Sequence, residues 1–230
     1  MDLLHGWGLE IAKGALVTIG VALLSLAVGM IWGLLGALAL LSRSKILARI
    51  GNAYTTLVRG TPELLIILII YFGGTVALTK LMRLVSSSST YIEVPSLVAG
   101  VFALSLVFGG FAAEVLRGAY LAIPKGQIEA ADAFGMSGYT SFVYIKFPQM
   151  WRLALPGLGN QWISLVKDTS LISVVGLEEL MRVSFMATSV AHEPFRFYLV
   201  ASIIYLLLNT ANTSLLQFLE THAARGERRA

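Results

Sequence analysis

The chain has 230 residues, of which 57% are hydrophobic and only 13% are charged, and its formal net charge is +4. A soluble domain usually has about a quarter charged residues, so this composition excludes an ordinary soluble protein and predicts an all-α bundle of membrane helices. Cysteine is absent, His5, His192 and His222 are too far apart to suggest a metal site, and the basic residues do not form a nucleic-acid-binding pattern with aromatics.

Five transmembrane spans are predicted in one permease domain that covers residues 1–230. The first contains no charge from Gly14 to Ser42, which is longer than a signal-peptide apolar region, and no basic segment precedes it. The apolar part of the second begins at Pro62 and is short, so we expect its helix to start earlier, and Pro62 suits a first helical turn, where its missing N–H costs nothing. The predicted spans are residues 14–42, 54–79, 94–121, 153–177 and 197–219.

The fourth predicted span is unusual because it contains charge. Pro156 and Gly157 interrupt its start, and Lys167 and Asp168 lie inside it. Each charge costs about 2.5 to 3.5 kcal/mol at the centre of a membrane helix. Neighbouring residues of a regular helix do not face each other, so we expect local unwinding near Thr169 or partners elsewhere.

The distribution of basic residues predicts the orientation of the chain. Residues 42–59, 114–152 and 220–230 together contain eleven lysines and arginines, whereas the segments on the opposite side contain six. The positive-inside rule therefore predicts a periplasmic N-terminus and a cytoplasmic C-terminus. The serine run at residues 86–89 is expected to form a flexible external loop.

The cytoplasmic loop at residues 122–152 is expected to contain short helices. Residues 127–134 have a helix-forming composition and are followed by Gly135, a typical C-cap residue. A second stretch, residues 139–146, is expected to end at Phe147 and Pro148.

This loop resembles the EAA motif of ABC-importer permeases. The resemblance rests on Glu129, Ala130 and Ala131, followed by Gly135 and Pro148 at the spacing of that motif. Further resemblance to polar amino-acid permeases is found at the segments YTTLVRGTPE (54–63), AEVLRG (113–118), IPKG (123–126), LPGLGN (155–160) and LVKDTSL (165–171). It covers roughly residues 10 to 220. The chain is most similar to the histidine, lysine/arginine/ornithine and octopine/nopaline permease subfamily.

The resemblance implies a subunit of a bacterial inner-membrane importer that works by alternating access. A dimer of a cytosolic ATPase would bind ATP and Mg²⁺ and dock on the EAA loop, and a periplasmic binding protein would deliver a basic amino acid or an opine. A second, homologous permease is expected, with a heterodimer favoured over a homodimer. The chain itself has no phosphate-binding loop of the form GxxxxGK[ST], so ATP hydrolysis requires a separate protein.

Several residues are candidates for the substrate pathway. Lys167 and Asp168, with Thr169 and Ser170 beside them, are interpreted as ligand contacts, and a structural ion pair is the alternative. Glu114 can form an i,i+3 pair with Arg117, for which a structural role is favoured over a pathway role. Gly73 in the second span either allows close helix packing, which is favoured, or exposes its backbone to ligand.

Two other functions remain open at this level. An ion-coupled secondary transporter could use Lys167 and Asp168, or Glu114 and Arg117, as a relay. A membrane assembly subunit without a pathway is the third possibility. In addition, many relatives have Asn-Ser-Gly before the third-span glutamate, where this chain has Val107, Phe108 and Gly109.

Overall fold

The computed structural model describes residues 4–85 and 92–223, and all regular secondary structure within those ranges is helical. This agrees with the predicted all-α class, while the serine run at 86–89 lies outside the described residues. The elements are α1 (Gly8–Leu40), α2 (Lys45–Gly60), α3 (Glu63–Leu68), a π turn (Ile69–Gly73), α4 (Gly74–Val85), α5 (Ser96–Leu121), α6 (Lys125–Ala133), α7 (Gly138–Ser141), a second π turn (Phe142–Lys146), α8 (Phe147–Asp168), a 3₁₀ segment (Thr169–Val175), α9 (Leu180–Ala191) and α10 (Pro194–Ala223).

Within the described residues, four helices are long and apolar enough to cross a membrane: Gly8–Leu40, Glu63–Leu84, Ser96–Leu121 and Pro194–Ala223. They cover the predicted first, third and fifth spans and most of the second. The predicted fourth span, residues 153–177, is not among them. Its helix α8 has 22 residues, which would be about 33 Å long, but it is less apolar than the other four.

The predicted start of the second span, near residue 54, is wrong. Helix α2 ends at Gly60, and Thr61 has extended backbone angles (φ −109°, ψ 135°). The residue before a proline is pushed out of the helical region by the proline ring, so Thr61 breaks the helix. Pro62 therefore precedes α3 instead of lying in a first helical turn. The helical segment that begins at Glu63 extends beyond the predicted end at residue 79, to Val85.

The predicted fourth span divides as expected near Thr169, where α8 gives way to the 3₁₀ segment that ends at Gly176 (φ +90°). The expected stop at Phe147 and Pro148 is wrong. A π turn leads directly into α8, and Pro148 occupies the first turn of that helix, where a missing N–H costs nothing.

Helices α1 and α5 pack closely as parallel neighbours because small residues line their contact. Gly29, Gly33 and Gly36 share one face of α1. A Cβ atom at Gly33 would lie 2.8 Å from the Cβ of Ala112, and one at Gly36 would lie 2.8 Å from the Cβ of Ala113. Close approach of backbones replaces the hydrophobic effect as a source of helix association in lipid, so this contact organises the bundle.

The C-terminal half of the second span is joined to the segment that precedes α5. The side chain of Thr75 accepts a hydrogen bond from the N–H of Val94 (3.1 Å). The hydroxyl of Thr79 accepts from the N–H of Ile92 and donates to the carbonyl of the same residue, both at 3.2 Å. Both threonines are buried and follow the first π turn, so the register of α4 determines these contacts.

Candidate functional site

Two carboxyl groups meet where α3 begins and α8 ends. Glu63 is the first residue of α3 and Asp168 is the last residue of α8, and their carboxyl groups lie close enough to interact electrostatically beside one small cavity that both residues line. An acidic residue is favourable at a helix N-terminus and unfavourable at a C-terminus, so Asp168 is placed against the helix dipole. Two carboxylates this close repel each other, and a cation between them removes that repulsion.

The space beside these carboxyls is enclosed mainly by apolar and aromatic side chains of α5. Its lining consists of Glu63, Leu104, Val107, Phe108, Phe111, Gln161, Leu165 and Asp168. Residues 104–111 form the middle of α5, so the carboxyls lie near half depth of a helix about 39 Å long. The space is about 10 Å³, which is room for about one water molecule. In this conformation the site is therefore contracted.

The other residues predicted beside Asp168 have separate positions. Lys167 is exposed, and within the described part of the chain no carboxylate lies within ion-pair distance of it. The buried hydroxyl of Thr169 donates to the carbonyl of Val166 (2.8 Å), and that of Ser170 donates to the carbonyl of Lys167 (2.7 Å). Both hydroxyls thus stabilise the change from α to 3₁₀ geometry, and Asp168 alone of the four reaches the cavity.

Glu114 forms the expected pair with Arg117, whose Nε donates to it at 2.9 Å. It also accepts a hydrogen bond from Thr55 (3.3 Å) and lies 3.9 Å from a guanidinium nitrogen of Arg59. Arg59 in turn lies over the ring of Phe111, 5.7 Å from its centroid. Glu114 therefore holds the end of α2 against the aromatic wall of the cavity without lining it.

Gly73 does not pack against another helix within the described residues. No atom lies within 4 Å of a Cβ built at Gly73, whereas a Cβ at Gly74 would lie 3.3 Å from Val94. The favoured packing role therefore belongs to Gly74, and Gly73 exposes its backbone at the end of the first π turn.

The helix predicted in the loop at residues 122–152 is α6, and Gly135 ends it with a Schellman motif. Gly135 has φ +72°, its N–H donates to the carbonyl of Asp132 (3.0 Å), and the N–H of Met136 donates to that of Ala131 (3.1 Å). No atom lies within 4 Å of a Cβ built at Gly135, so the turn requires glycine for its backbone angle and not for space.

The surface of this loop combines a free carboxylate with exposed aromatic rings. Ala131 is buried in this chain, whereas Glu129, Ala130 and Pro148 are exposed. Glu129 has no ion-pair partner within 4 Å among the described residues. Phe134, Tyr139 and Tyr144 are 86%, 79% and 74% exposed, which is unusual for aromatic side chains and typical of a surface that contacts another protein or the membrane.

Two acidic residues that bear on the site were missed in the sequence. Glu63 was not predicted as a site residue, although a carboxylate directly after a proline at a helix start is a signal for the first turn. Glu179 is fully buried and accepts hydrogen bonds from the N–H groups of Met181 (2.9 Å) and Arg182 (2.8 Å) and from the hydroxyl groups of Tyr205 (3.0 Å) and Thr18 (3.4 Å). It thereby joins α1, α9 and α10.

Sequence comparison places the chain among known transport proteins. Residues 18–225 match the family described as binding-protein-dependent transport system inner membrane component. The chain is 46% identical to the nopaline transport system permease protein of Agrobacterium fabrum, over 97% of this chain and 94% of that protein. It is 39% identical to the histidine/lysine/arginine/ornithine transport system permease protein of Escherichia coli K12, over 99% of both chains.

Solved structures agree with this placement. An amino acid ABC transporter crystallised with histidines superimposes with a TM-score of 0.83 at 29% identity, covering 96% of this chain and 99% of that one. A chain of the MetNI methionine ABC transporter in an inward-facing conformation shares the fold, with a TM-score of 0.74 at 18% identity over 95% and 98% of the two chains. The chain therefore belongs to the family of inner membrane components of binding-protein-dependent transport systems.

Proposed function

We propose that the chain forms half of the membrane pathway of an ATP-driven importer for basic amino acids or opines. The observation that carries this proposal is the pair of carboxyl groups, Glu63 and Asp168, beside the middle of α5. Intramembrane carboxylates are costly and normally mark a substrate or ion pathway. The contracted cavity fits one state of an alternating-access cycle, in which the site opens when the helices around it move.

The chemistry of the cavity favours a cationic ligand with an apolar stem. The two carboxyls would accept hydrogen bonds from a guanidinium or ammonium group. Val107 and Phe108, where many relatives have polar residues, form an apolar part of the wall. Named relatives that transport nopaline and basic amino acids support this substrate class.

The loop around α6 would transmit the motion of a cytosolic ATPase dimer. Its short helix has a fixed end at Gly135, a free carboxylate at Glu129 and a rim of exposed aromatic side chains. A basic or amide group of the ATPase would pair with Glu129, while the aromatic rings would bury in a cleft. ATP and Mg²⁺ would be bound by that ATPase, and this chain would be a non-catalytic subunit.

A second permease subunit would complete the pathway. Much of the apolar surface of α10 is exposed, including Leu199, Ile203, Leu206, Leu207 and Leu215, so lipid or another subunit must cover it. We favour a homologous but distinct partner, and a periplasmic solute-binding protein would deliver the ligand to the outer mouth in the bacterial inner membrane.

Reconstitution would test this proposal. The chain, its sister permease and the ATPase are placed in proteoliposomes with the binding protein outside, and uptake of radiolabelled L-arginine is measured with and without internal ATP. We expect uptake that requires ATP and persists when an ionophore collapses the ion gradients. Uptake that continues without ATP and stops with the ionophore would instead indicate an ion-coupled secondary transporter.

Cysteine labelling would test the orientation. The chain has no cysteine, so Gly138→Cys provides a single reactive site in the loop after α6. We expect a membrane-impermeant maleimide to label it in inside-out vesicles only. Labelling in intact spheroplasts would place the loop on the periplasmic side and contradict the proposed coupling.

A further inference from the structure

A cavity of about 520 Å³ lies at the end of the bundle that carries the α6 loop, well within the size range of small-molecule sites. It is bounded by the start of α6, the first turns of α8 and the last turn of α10. The lining residues are Ala122, Pro124, Gln127, Gln149, Arg152, Leu153, Pro156, Glu220 and Ala223. None of them lines the contracted cavity beside Glu63 and Asp168, so the two sites are separate.

The cavity contains one cationic and one anionic side chain that are not paired with each other. Neither Arg152 nor Glu220 has an ion-pair partner within 4 Å among the described residues. Beside them, the side-chain amide of Gln149 donates to the side-chain oxygen of Gln127 at 3.1 Å. Opposite charges in one cavity without mutual contact are suited to a ligand that carries both charges itself.

Pro156 adds a free backbone acceptor to the same cavity. A proline has no N–H to donate, so the carbonyl of Arg152, four residues earlier in α8, lacks its usual helical hydrogen-bond donor. Arg152 and Pro156 both line the cavity. A carbonyl oxygen that is free of the helix can accept a hydrogen bond from an ammonium group, as Glu220 can.

We propose that this cavity, here called the α6–α10 pocket, binds a small zwitterion such as an amino acid. The guanidinium of Arg152 binds the carboxylate of the ligand. Glu220 and the carbonyl of Arg152 bind its cationic group, and the amides of Gln127 and Gln149 complete the polar side. The placement of this pocket on the cytosolic side rests on the proposed function, whereas the binding itself does not.

A bound ligand in this pocket would add contacts among three elements, of which α8 and α10 already pack against each other at Gly159 and Leu216. It would connect the start of α6, which carries the EAA residues, to α8 and to the end of α10. Since α6 is the element proposed to follow the ATPase, occupancy would restrict its movement relative to the bundle. The pocket is thus placed to report the concentration of an amino acid on the loop side of the membrane.

Cysteine protection in membranes from cells that express the intact transporter tests the site directly. Ala223→Cys lines the pocket, and Thr221→Cys is an exposed control in the same last turn of α10. We expect 10 mM L-arginine, applied on the loop side, to slow maleimide labelling of Ala223→Cys at least about fivefold and to leave Thr221→Cys unchanged. Acetate and methylammonium at the same concentration, each with one charge only, are expected not to protect.

Second-site variants assign the protection to the two charges. In the Ala223→Cys chain, Arg152→Gln or Glu220→Gln should raise the protecting concentration of L-arginine at least about tenfold, since each removes one charge-assisted contact. Arg49→Gln, which is not in the pocket lining, should leave the protecting concentration of L-arginine unchanged. Asp168→Asn, which alters the proposed transport site, should also leave it unchanged. Absent protection, equal protection of Thr221→Cys, protection by acetate alone, or insensitivity to both pocket variants would each overturn the proposal. Loss of ATP-driven uptake with protection intact would refute the proposed function and not the pocket.

Discussion

The carboxyl group of Asp168, at the end of α8, faces that of Glu63, at the start of α3, although the two residues belong to different predicted spans. Both helices break at this level: α3 follows the extended Thr61 and Pro62, and α8 changes to 3₁₀ geometry after Asp168. Discontinuous helices are a common way for transporters to present polar groups to a ligand. The pair is therefore the part of the structure most directly open to a functional test.

Asp168→Asn and Glu63→Gln are each expected to lower kcat/KM for L-arginine uptake by about 10- to 100-fold. A hydrogen bond to a charged group contributes about 1.5 to 3 kcal/mol, which corresponds to that range. ATP-dependent uptake in proteoliposomes measures the effect, and Glu10→Gln, an exposed carboxyl variant, is the control.

The double variant Lys167→Leu with Asp168→Asn separates a ligand contact from a mutual ion pair. Removing one partner of a buried ion pair leaves the other charge unpaired and destabilises the protein, whereas removing both partners avoids that cost. Since Lys167 is exposed and Asp168 faces Glu63, we expect no recovery in the double variant. Near-normal uptake by the double variant would show that the two residues serve only each other.

Gly135→Leu is expected to uncouple ATP hydrolysis from uptake while the protein remains inserted. A side chain at φ +72° costs roughly 1 to 2 kcal/mol, which favours an altered end of α6. Gly126→Leu adds the same bulk at another open position of α6 without a positive φ and should retain more coupling. The measurement is the ratio of L-arginine transported to ATP hydrolysed in each variant. Equal ratios in Gly135→Leu and Gly126→Leu would contradict a role for the positive φ of Gly135.

Gly33→Ala is expected to destabilise the bundle by about 1 to 3 kcal/mol, because its Cβ would lie 2.8 Å from the Cβ of Ala112. Neither atom can rotate away, so α1 and α5 must separate. Reversible unfolding in mixed micelles measures the change. Gly20→Ala, with open space around it on the same helix, should cause no loss, and Ala112→Gly should rescue Gly33→Ala.

Glu179→Ala is expected to cost at least about 2 kcal/mol in the same unfolding assay. It leaves two N–H groups of α9 and two hydroxyls without their acceptor in a buried position. Tyr205→Phe removes a single hydrogen bond of this group and should cost about 1 kcal/mol. Equal effects of the two substitutions would show that the carboxylate does not organise the cluster.

Local features of the sequence were sufficient for several parts of the structure. The glycine after an alanine-rich helix predicted the end of α6 because a positive φ is a property of one residue and its neighbours. The adjacent charges in the fourth span predicted either local unwinding near Thr169 or partners elsewhere, since neighbouring helical residues do not face each other, and the structure changes to 3₁₀ geometry at Thr169. The pair of Glu114 and Arg117 followed from helical spacing alone.

The remaining features depend on contacts between distant segments. Proline can occupy either the first turn of a helix or the position just before the helix. Only the extended backbone at Thr61 and Pro62 shows that Pro62 takes the second position. Pro148 was interpreted as a stop, although a preceding π turn places it in a permitted position. The meeting of Glu63 with Asp168 and the cap formed by Glu179 require the tertiary fold, and glutamate is not among the preferred N-cap residues.

The first π turn changes the direction in which side chains point along the second span, so that residues before and after it do not follow one regular helical repeat. Hydrogen bonds in a π turn reach from a residue to the fifth one along, so Ile69–Gly73 contains one residue more than regular α-helix would over the same length. Without that residue every later side chain would rotate by about 100°, and Thr75 and Thr79 would leave the backbone of residues 92–94. The N-terminal end of the span, with Glu63, and its C-terminal half, with the two threonines, therefore each face their own partners only because the chain contains this additional residue.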